Sequence, residues 1–368
     1  MASPAPATTQ TTTEKTSQRT FTIGTRKSKL ALLQTDLVLE ALKKAFPQYE
    51  YKIFSKETAG DLNTTIALRD FTSKNLWTEE LEELMISGQV DLIVHSLKGS
   101  INPSGSNKFQ MLTSFHILSD VPTTLPSSCM LGPSMPREDS RDVLVVKHGL
   151  SYKSLSEIPA GSVVGTSSIR RTAQLARKYP HLKVQDVRGN IGTRLAKLDA
   201  EDSPYTCIIL AAAGLLRLDL ADRITQYLDS KSSGMLYAVG QGALGIEIRK
   251  GDKVLEDMLN SIGDQDTTFS VLAERSLLRT LEGGCSAPLG VETKWIQSPE
   301  GKKLLHMHSV VVSVDGKDCA RVELEADVTS AETAEAFGIT VAKALVADGA
   351  GAILETIQQN KTKENASA

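Results

Sequence analysis

From Phe21 onward, short runs rich in β-branched and aromatic residues alternate with stretches whose apolar residues recur every three or four positions. Phe21-Thr22-Ile23 predicts a strand. Leu30, Leu33, Leu37 and Ala41 then share one helical face, and Pro47 closes that element. Tyr51–Phe54 predicts a second strand, Trp77–Ile86 a helix ended by Gly88, and Val90–Val94 a buried strand. The same grammar restarts with strand Ser162–Val164, helix Ile169–Tyr179, strand Leu182–Val187, helix Ile191–Leu198 and strand Cys207–Ala212. Strands separated by helices predict parallel sheets joined by right-handed crossovers. The halves also echo each other. Ile23-Gly24-Thr25-Arg26-Lys27-Ser28 and Val164-Gly165-Thr166-Ser167-Ser168 each leave a strand and open a helix. The natural reading is two similar α/β domains with a cleft between them.

The last third differs. Helix Thr268–Leu281 ends at Gly283-Gly284, strand-like runs Leu305–Val314 and Arg321–Val328 follow, and a helix from about Ser330 carries Ala334, Phe337, Ile339, Val341 and Leu345 inward. This predicts a small α+β domain. The length, 368 residues, accommodates two or three domains of roughly 150 residues each. Residues 1–20 are rich in Thr, Ser, Ala and Pro and read as a disordered tail. They carry neither the apolar core of a secretory signal nor the arginines of a transit peptide, so the expected location is cytoplasmic.

A net charge of −3 argues against a general nucleic-acid-binding surface, so any anion site must be a local cluster of cations. The longest apolar run, Cys207–Leu216, is half a membrane span and contains Gly214, so no transmembrane helix is expected. Cys129, Cys207, Cys285 and Cys319 are far apart, with no CxxC pair. That spacing argues against a metal site or a disulfide scaffold and fits a reducing compartment.

Four segments place polar groups where a helix opens after a strand: Thr25–Ser28, Thr166–Arg171, Arg188–Asn190 and Gly192–Arg194. Ligands of open α/β sheets bind at the carboxyl ends of strands. A helix N-terminus is already partly positive, so arginines placed there imply a compensating anion. No phosphate-cradling glycine loop follows a strand, which favours carboxylates, and the arginine fork suits them. Ser167 and Ser168 also read as helix caps. In Glu282-Gly283-Gly284-Cys285, two glycines end a helix beside a thiol. That thiol is either presented on a turn to a bulky group or is a small buried residue after a cap. Cys129, Cys207 and Cys319 read as structural, as does His95. Asp61 and Asp120 are candidate carboxylates.

These segments together resemble the porphobilinogen deaminase family. The resemblance rests on Gly24–Leu32, Leu76–Glu82, Val94–Lys98, Arg137–Asp142, Val164–Arg171, Val187–Arg194, Val239–Ala243 and Leu281–Cys285, in order along the chain. It implies two doubly wound α/β domains, periplasmic-binding-protein-like, around a cleft, plus a small C-terminal α+β domain. The expected division is 21–138 with 240–260, then 139–239, then 261–368. The implied enzyme is a transferase that condenses porphobilinogen units into hydroxymethylbilane for heme biosynthesis, with loss of ammonia. The resemblance makes Cys285 the thioether anchor of a dipyrromethane cofactor. It makes Asp120 the catalytic carboxylate that stabilises the azafulvenium cation left by ammonia. It puts Lys98, Ser168, Arg170, Arg171, Arg188 and Gly189 against the cofactor, and Arg26, Ser28, Arg194 and Trp77 against the substrate and growing polypyrrole. A monomer is implied. The alternative is a non-catalytic two-domain carboxylate-binding protein, which would have no use for Gly283-Gly284-Cys285.

One departure stands out. The family's Lys-Asp pair is contiguous, whereas the 21 residues Gly99–Ser119 separate Lys98 from Asp120 here. They have no amphipathic period and split a pair of active-site neighbours. We read them as a retained in-frame intron, with a GT donor available within a Gly99 codon and an AG acceptor where Ser119 meets Asp120. Trp77, Asn75 and Asp70 stand where the family usually has Phe, Gly and Lys, so altered contacts near the active-site lid are expected.

Overall fold

The structure, a computed structural model, describes residues 19–57, 79–100, 121–122, 125–281 and 287–366. The first lobe begins with β1 (Thr20–Arg26), α1 (Lys29–Ala45) and β2 (Glu50–Lys56). Phe21 and Ile23 point inward from β1, and Val38, Leu39 and Leu42 from α1 meet them in one core. α2 (Glu79–Ile86) and β3 (Leu92–Ser96) follow, then the short β4 (Gly99–Ser100), β5 (Val121–Pro122) and β6 (Cys129–Leu131). The second lobe holds β7 (Asp142–Val146), β8 (Val163–Gly165), α3 (Ile169–Lys178), β9 (Lys183–Gln185), α4 (Ile191–Asp199), β10 (Cys207–Ala211), α5 (Ala212–Arg217) and β11 (Gln226–Leu228). β12 (Leu244–Arg249) and α6 (Lys253–Ile262) return to the first lobe.

The sheets are mixed, which corrects the expectation of purely parallel ones. The first runs β2-β1-β3-β12-β6 and the second β9-β8-β10-β7-β11. In each, the first three strands are parallel and the fourth runs against both its neighbours. The reason lies in the connections. β12 and β7 are the strands reached by crossing from the other lobe. Asp142, the first residue of β7, pairs with Ala211 at the carboxyl end of β10, and Leu244 of β12 pairs with Ser96 at the carboxyl end of β3. The crossing chain therefore enters each sheet on the cleft side and runs away from it. The sequence echo also falls on equivalent strands, because β1 and β8 occupy the same place in the two orders.

The crossings are fixed by close backbone approach. Gly240 and Gly242 have φ of 69° and 88°. A Cβ on Gly240 would stand 1.9 Å from the Leu97 carbonyl oxygen, and one on Gly242 would stand 2.3 Å from that of Glu138. Gln241 between them is buried and donates to the Ser140 carbonyl at 2.8 Å.

The third unit contains α7 (Gln265–Leu281), the antiparallel meander β13 (Leu289–Gln297), β14 (Lys303–Val312) and β15 (Cys319–Ala326), and then α8 (Ala331–Leu345) and α9 (Gly351–Ala366). Leu277, Leu281, Leu305, Met307, Val311, Ala334, Phe337, Val341 and Leu345 share its core. Ile339, expected inside, is 39% exposed. It lies two residues from Phe337, on the far side of a helix of 3.6 residues per turn. The stretch Ala331–Asn360 has the length and apolar content of a membrane span, a test that a core helix also passes. Its apolar stripe packs into this core, and the left-handed Gly349 (φ 105°) interrupts it.

Glu274 of α7 joins this unit to the crossings. Fully buried, it accepts from Arg137 Nη1 and Nη2 at 2.7 and 3.0 Å, from the Gly240 amide at 2.7 Å and from the Thr293 hydroxyl at 2.7 Å. Breaking a buried ion pair strands the surviving charge and typically costs about 3–5 kcal/mol. Glu274→Ala is therefore expected to lower unfolding free energy by about that amount in denaturant titration. A loss below about 1 kcal/mol would show that the junction does not depend on it.

Candidate active site

The carboxyl ends of the strands and the helix starts that follow them face the cleft. Ser28 caps α1, accepting from the Ala31 amide at 3.3 Å, and Ser168 caps α3, accepting from the Arg171 amide at 3.5 Å. Ser167 donates to the Val187 carbonyl at 2.9 Å instead. Asn190 caps α4 through the Thr193 amide at 2.8 Å. Each cap leaves the positive end of its helix toward the cleft.

Arg170 and Arg171, the second and third residues of α3, are buried beside Asp142. Asp142 Oδ2 accepts from Arg170 Nη1 at 2.8 Å and from Arg171 Nε at 3.1 Å. Its Oδ1 accepts from Arg171 Nη2 at 2.7 Å and from Gln241 Nε2 at 2.9 Å. Arg170 Nη1 also donates to the Leu236 carbonyl, and Arg171 Nη1 to that of Ile209 at 2.8 Å. This corrects the sequence argument in one respect. The anion that compensates two arginines at a helix start is, for this pair, the protein's own. Burial alone would push the Asp142 carboxyl up, but the two guanidiniums reverse this and hold it well below the usual carboxylate range.

Beyond that pair the charge is unbalanced. Lys98, two residues past β3, has its ammonium pushed down to about 7, first by burial and then by Arg171, with Arg194 and Arg170 adding and Asp142 opposing. Arg194 is pushed down to about 10 by burial and then by Arg171, and its Nε donates to the Gly189 carbonyl at 2.7 Å. Gly189 has a φ of 113°, and a Cβ there would meet Thr193 at 2.7 Å, so the turn that brings Arg188 and Arg194 together needs glycine. Arg188 is half-exposed and pairs with Asp186 at 2.9 Å. Four cations (Lys98, Arg170, Arg171, Arg194) thus crowd one carboxylate, and crowding that depresses a lysine is relieved by bound anions. The residues present fit a ligand carrying several carboxylates.

Arg26 ends β1 at the same level. Asp120, Cys285, Trp77, Asn75, Asp70 and Asp61 lie outside the described residues. Their described neighbours are informative, however. Gly99 and Ser100 pair in parallel with Val121 and Pro122, so the first residues of the insertion lie beside the chain that follows Asp120. α7 ends at Leu281, four residues before Cys285. One residue not singled out from the sequence belongs to the site: Asp142 is the arginines' partner. Asp142 was visible only as the last residue of a family motif. His95 is buried as expected, but its ring nitrogens take no hydrogen bond, and Nε2 stands 3.3 Å from Glu247 Oε2. Cys129, on the same sheet, is pushed up to about 11 by burial, with Glu247 and Glu82 adding. Among the described residues no group of three or more His, Cys, Asp or Glu could hold a metal ion.

Paired α/β lobes, a cationic cleft and a third unit whose first helix leads to a cysteine define an enzyme that works on a carboxylate-rich group. The sequence matches the family model "Porphobilinogen deaminase, dipyromethane cofactor binding domain" over residues 21–103 and 107–257, and "Porphobilinogen deaminase, C-terminal domain" over 268–347. Porphobilinogen deaminase of Yarrowia lipolytica is 48% identical over 346 residues, covering 93% of this chain and 94% of that one. Its counterpart in Saccharomyces cerevisiae is 46% identical over 349 residues, covering 94% and 99%. The periplasmic VFT2 domain of Bordetella pertussis BvgS overlays with a TM-score of 0.36 at 13% identity, covering 69% of this chain and 91% of that one, a likeness too loose to argue from. The chain belongs to the porphobilinogen deaminase family. Its reaction is the stepwise head-to-tail condensation of porphobilinogen to hydroxymethylbilane, a transferase step of tetrapyrrole biosynthesis that uses a dipyrromethane cofactor. The non-catalytic alternative is not favoured.

The state of Lys98 carries a pH consequence. In the free protein it loses its proton near pH 7, and an approaching carboxylate raises its affinity for that proton. Porphobilinogen binding at about pH 8 is therefore expected to take up a proton. Calorimetry in buffers of different ionisation heat reads this uptake. An observed enthalpy independent of the buffer would remove Lys98 from the anion site.

Proposed function

We propose that Cys285 anchors the dipyrromethane and that Lys98, Ser168, Arg170, Arg171, Arg188 and Gly189 surround its carboxylates. In the same reading Arg26, Ser28, Arg194 and Trp77 receive the incoming porphobilinogen and the growing polypyrrole, and Asp120 is the catalytic carboxylate. The observation that carries this is the excess of cationic side chains around Lys98 at the carboxyl ends of the strands. The bound cofactor supplies the pyrrole carbon that accepts the first unit. The chain's own groups do the rest: guanidiniums bind and orient carboxylates, and a fixed Asp120 carboxylate offsets positive charge as ammonia leaves and holds pyrrole protons. The protein works as a cytoplasmic monomer that binds neither nucleic acid nor membrane. The free thiols Cys129, Cys207 and Cys319 support a reducing compartment. The apolar stripe of Ala331–Asn360 is used in the third core. The lobe division 21–138 with 240–260, 139–239 and 261–368 is supported by β12 joining the first sheet.

Intact mass after incubation with porphobilinogen tests the anchor. Cys285→Ser is expected to carry no covalent dipyrromethane, because an alkoxide is far less available than a thiolate near neutral pH. A cofactor mass on that variant would move the attachment elsewhere.

The insertion affects the catalytic carboxylate. Closing a 21-residue loop costs roughly 2–3 kcal/mol, which the fold can bear, whereas catalytic geometry tolerates about 0.5 Å. Gly99-Ser100 lies against Val121-Pro122, immediately after Asp120. The chain as written is expected to fold with little deaminase activity, and deletion of Gly99–Ser119 is expected to restore hydroxymethylbilane formation. Equal rates for both proteins would make the insertion a tolerated loop. A transcript joining Lys98 directly to Asp120 would establish the retained intron.

A further inference from the structure

We propose that Asp142 is the positioning residue of this site: it holds the Arg170–Arg171 pair at the start of α3 and ties that pair to the crossing between the lobes. The inference rests on the cleft reading above and goes beyond it, because Asp142 touches neither cofactor nor substrate in that reading.

Four observations converge on it. Asp142 is 1% exposed, and its two oxygens accept four hydrogen bonds, two each. Both guanidiniums are oriented by it, Arg171 through the fork of Nε and Nη2, so their planes are set before any ligand arrives. The fourth bond comes from Gln241, which sits between the two left-handed glycines of the return crossing. Asp142 itself is the first residue of β7, opposite Ala211 at the cleft end of β10. A single carboxylate therefore joins the anion-facing helix of the second lobe, the outgoing crossing and the return crossing.

The electrostatic role is separable from the mechanical one. Lys98 faces Arg170 and Arg171 of α3, Arg194 of α4 and Asp142 of β7, and among these Asp142 alone favours its protonated form. Removing the charge of Asp142 while keeping its shape should lower the proton affinity of Lys98 and loosen the arginines. A residue that only filled space would do neither.

The test uses the full chain and Asp142→Asn. Lysines are reductively methylated with 13C-formaldehyde, and the Lys98 resonance, assigned with Lys98→Arg, is titrated. The expected midpoint near 7 in the parent falls in Asp142→Asn. Phenylglyoxal reactivity is read by peptide mass. Arg170 and Arg171 are expected to be protected in the parent relative to Arg188, and to react in the variant. In the background lacking Gly99–Ser119, porphobilinogen-dependent mass gain at Cys285 is expected to slow about tenfold or more when Asp142→Asn is added. A folded Asp142→Asn with unchanged Lys98 midpoint and unchanged arginine reactivity overturns the proposal, whatever happens to mass gain. Should the variant fail to fold, the parent alone decides, since Arg170 and Arg171 reacting as fast as Arg188 would show that no clamp exists. Absence of mass gain in the protein lacking Gly99–Ser119, with the lysine and arginine readouts as expected, counts against the cofactor reading and leaves the role of Asp142 standing.

Discussion

Two buried carboxylates, Glu274 and Asp142, make possible a fold in which all traffic between the lobes passes through two short strips of backbone. Glu274 satisfies a guanidinium, a crossing amide and a hydroxyl of the meander at once. Asp142 satisfies two guanidiniums and the glutamine between the crossing glycines. A buried carboxylate is costly unless every lone pair finds a donor. Each carboxylate has these donors around it and so acts as a fixed point. The crossings can pass close to Leu97 and Glu138 because glycines stand there and because these carboxylates hold the adjoining chain.

The cleft inherits its electrostatics from that arrangement. Arginines at the start of α3 oppose the helix dipole, and a carboxylate delivered by β7 makes the placement tolerable. One layer outward stand Lys98 and Arg194, whose proton affinities are pushed down first by burial and then by the Arg171 guanidinium. The inner pair is thus held in place by Asp142 before a ligand arrives, and Lys98 and Arg194 add positive charge beside it.

Much of this was legible in the sequence because it is local. The alternation around Phe21 and Ile23, the helical stripe of α1 and the strand-to-helix junctions at Ser28 and Ser168 are written in adjacent residues, and the structure places them in equivalent positions of two sheets. Strand direction was not legible. Val143–Val146 and Leu244–Ile248 are short buried runs whose residues carry no mark of strand direction, and only the route of the chain makes them antiparallel. Ile339 misled because it is apolar yet lies off the stripe set by Phe337 and Val341. In the site, the helix-dipole argument found a real anomaly at Arg170 and Arg171. It could not find their partner, which lies 28 and 29 residues earlier in the chain.

The swapped strands have a consequence for biosynthesis. The fourth strand of the first sheet, β12, is encoded after the whole second lobe. On a ribosome, β1, β2 and β3 emerge and then wait for about 150 further residues before their sheet can close, on the order of ten to thirty seconds. During that interval Leu92 and Val94 of β3 lack the partner edge and the Leu244, Ile246 and Ile248 side chains that later cover them. The second lobe depends only on residues already made, so it can complete its sheet first. Nascent chains halted before Leu244 would then be half-folded in a defined way, with a finished second lobe and an open edge on the first that chaperones must shield.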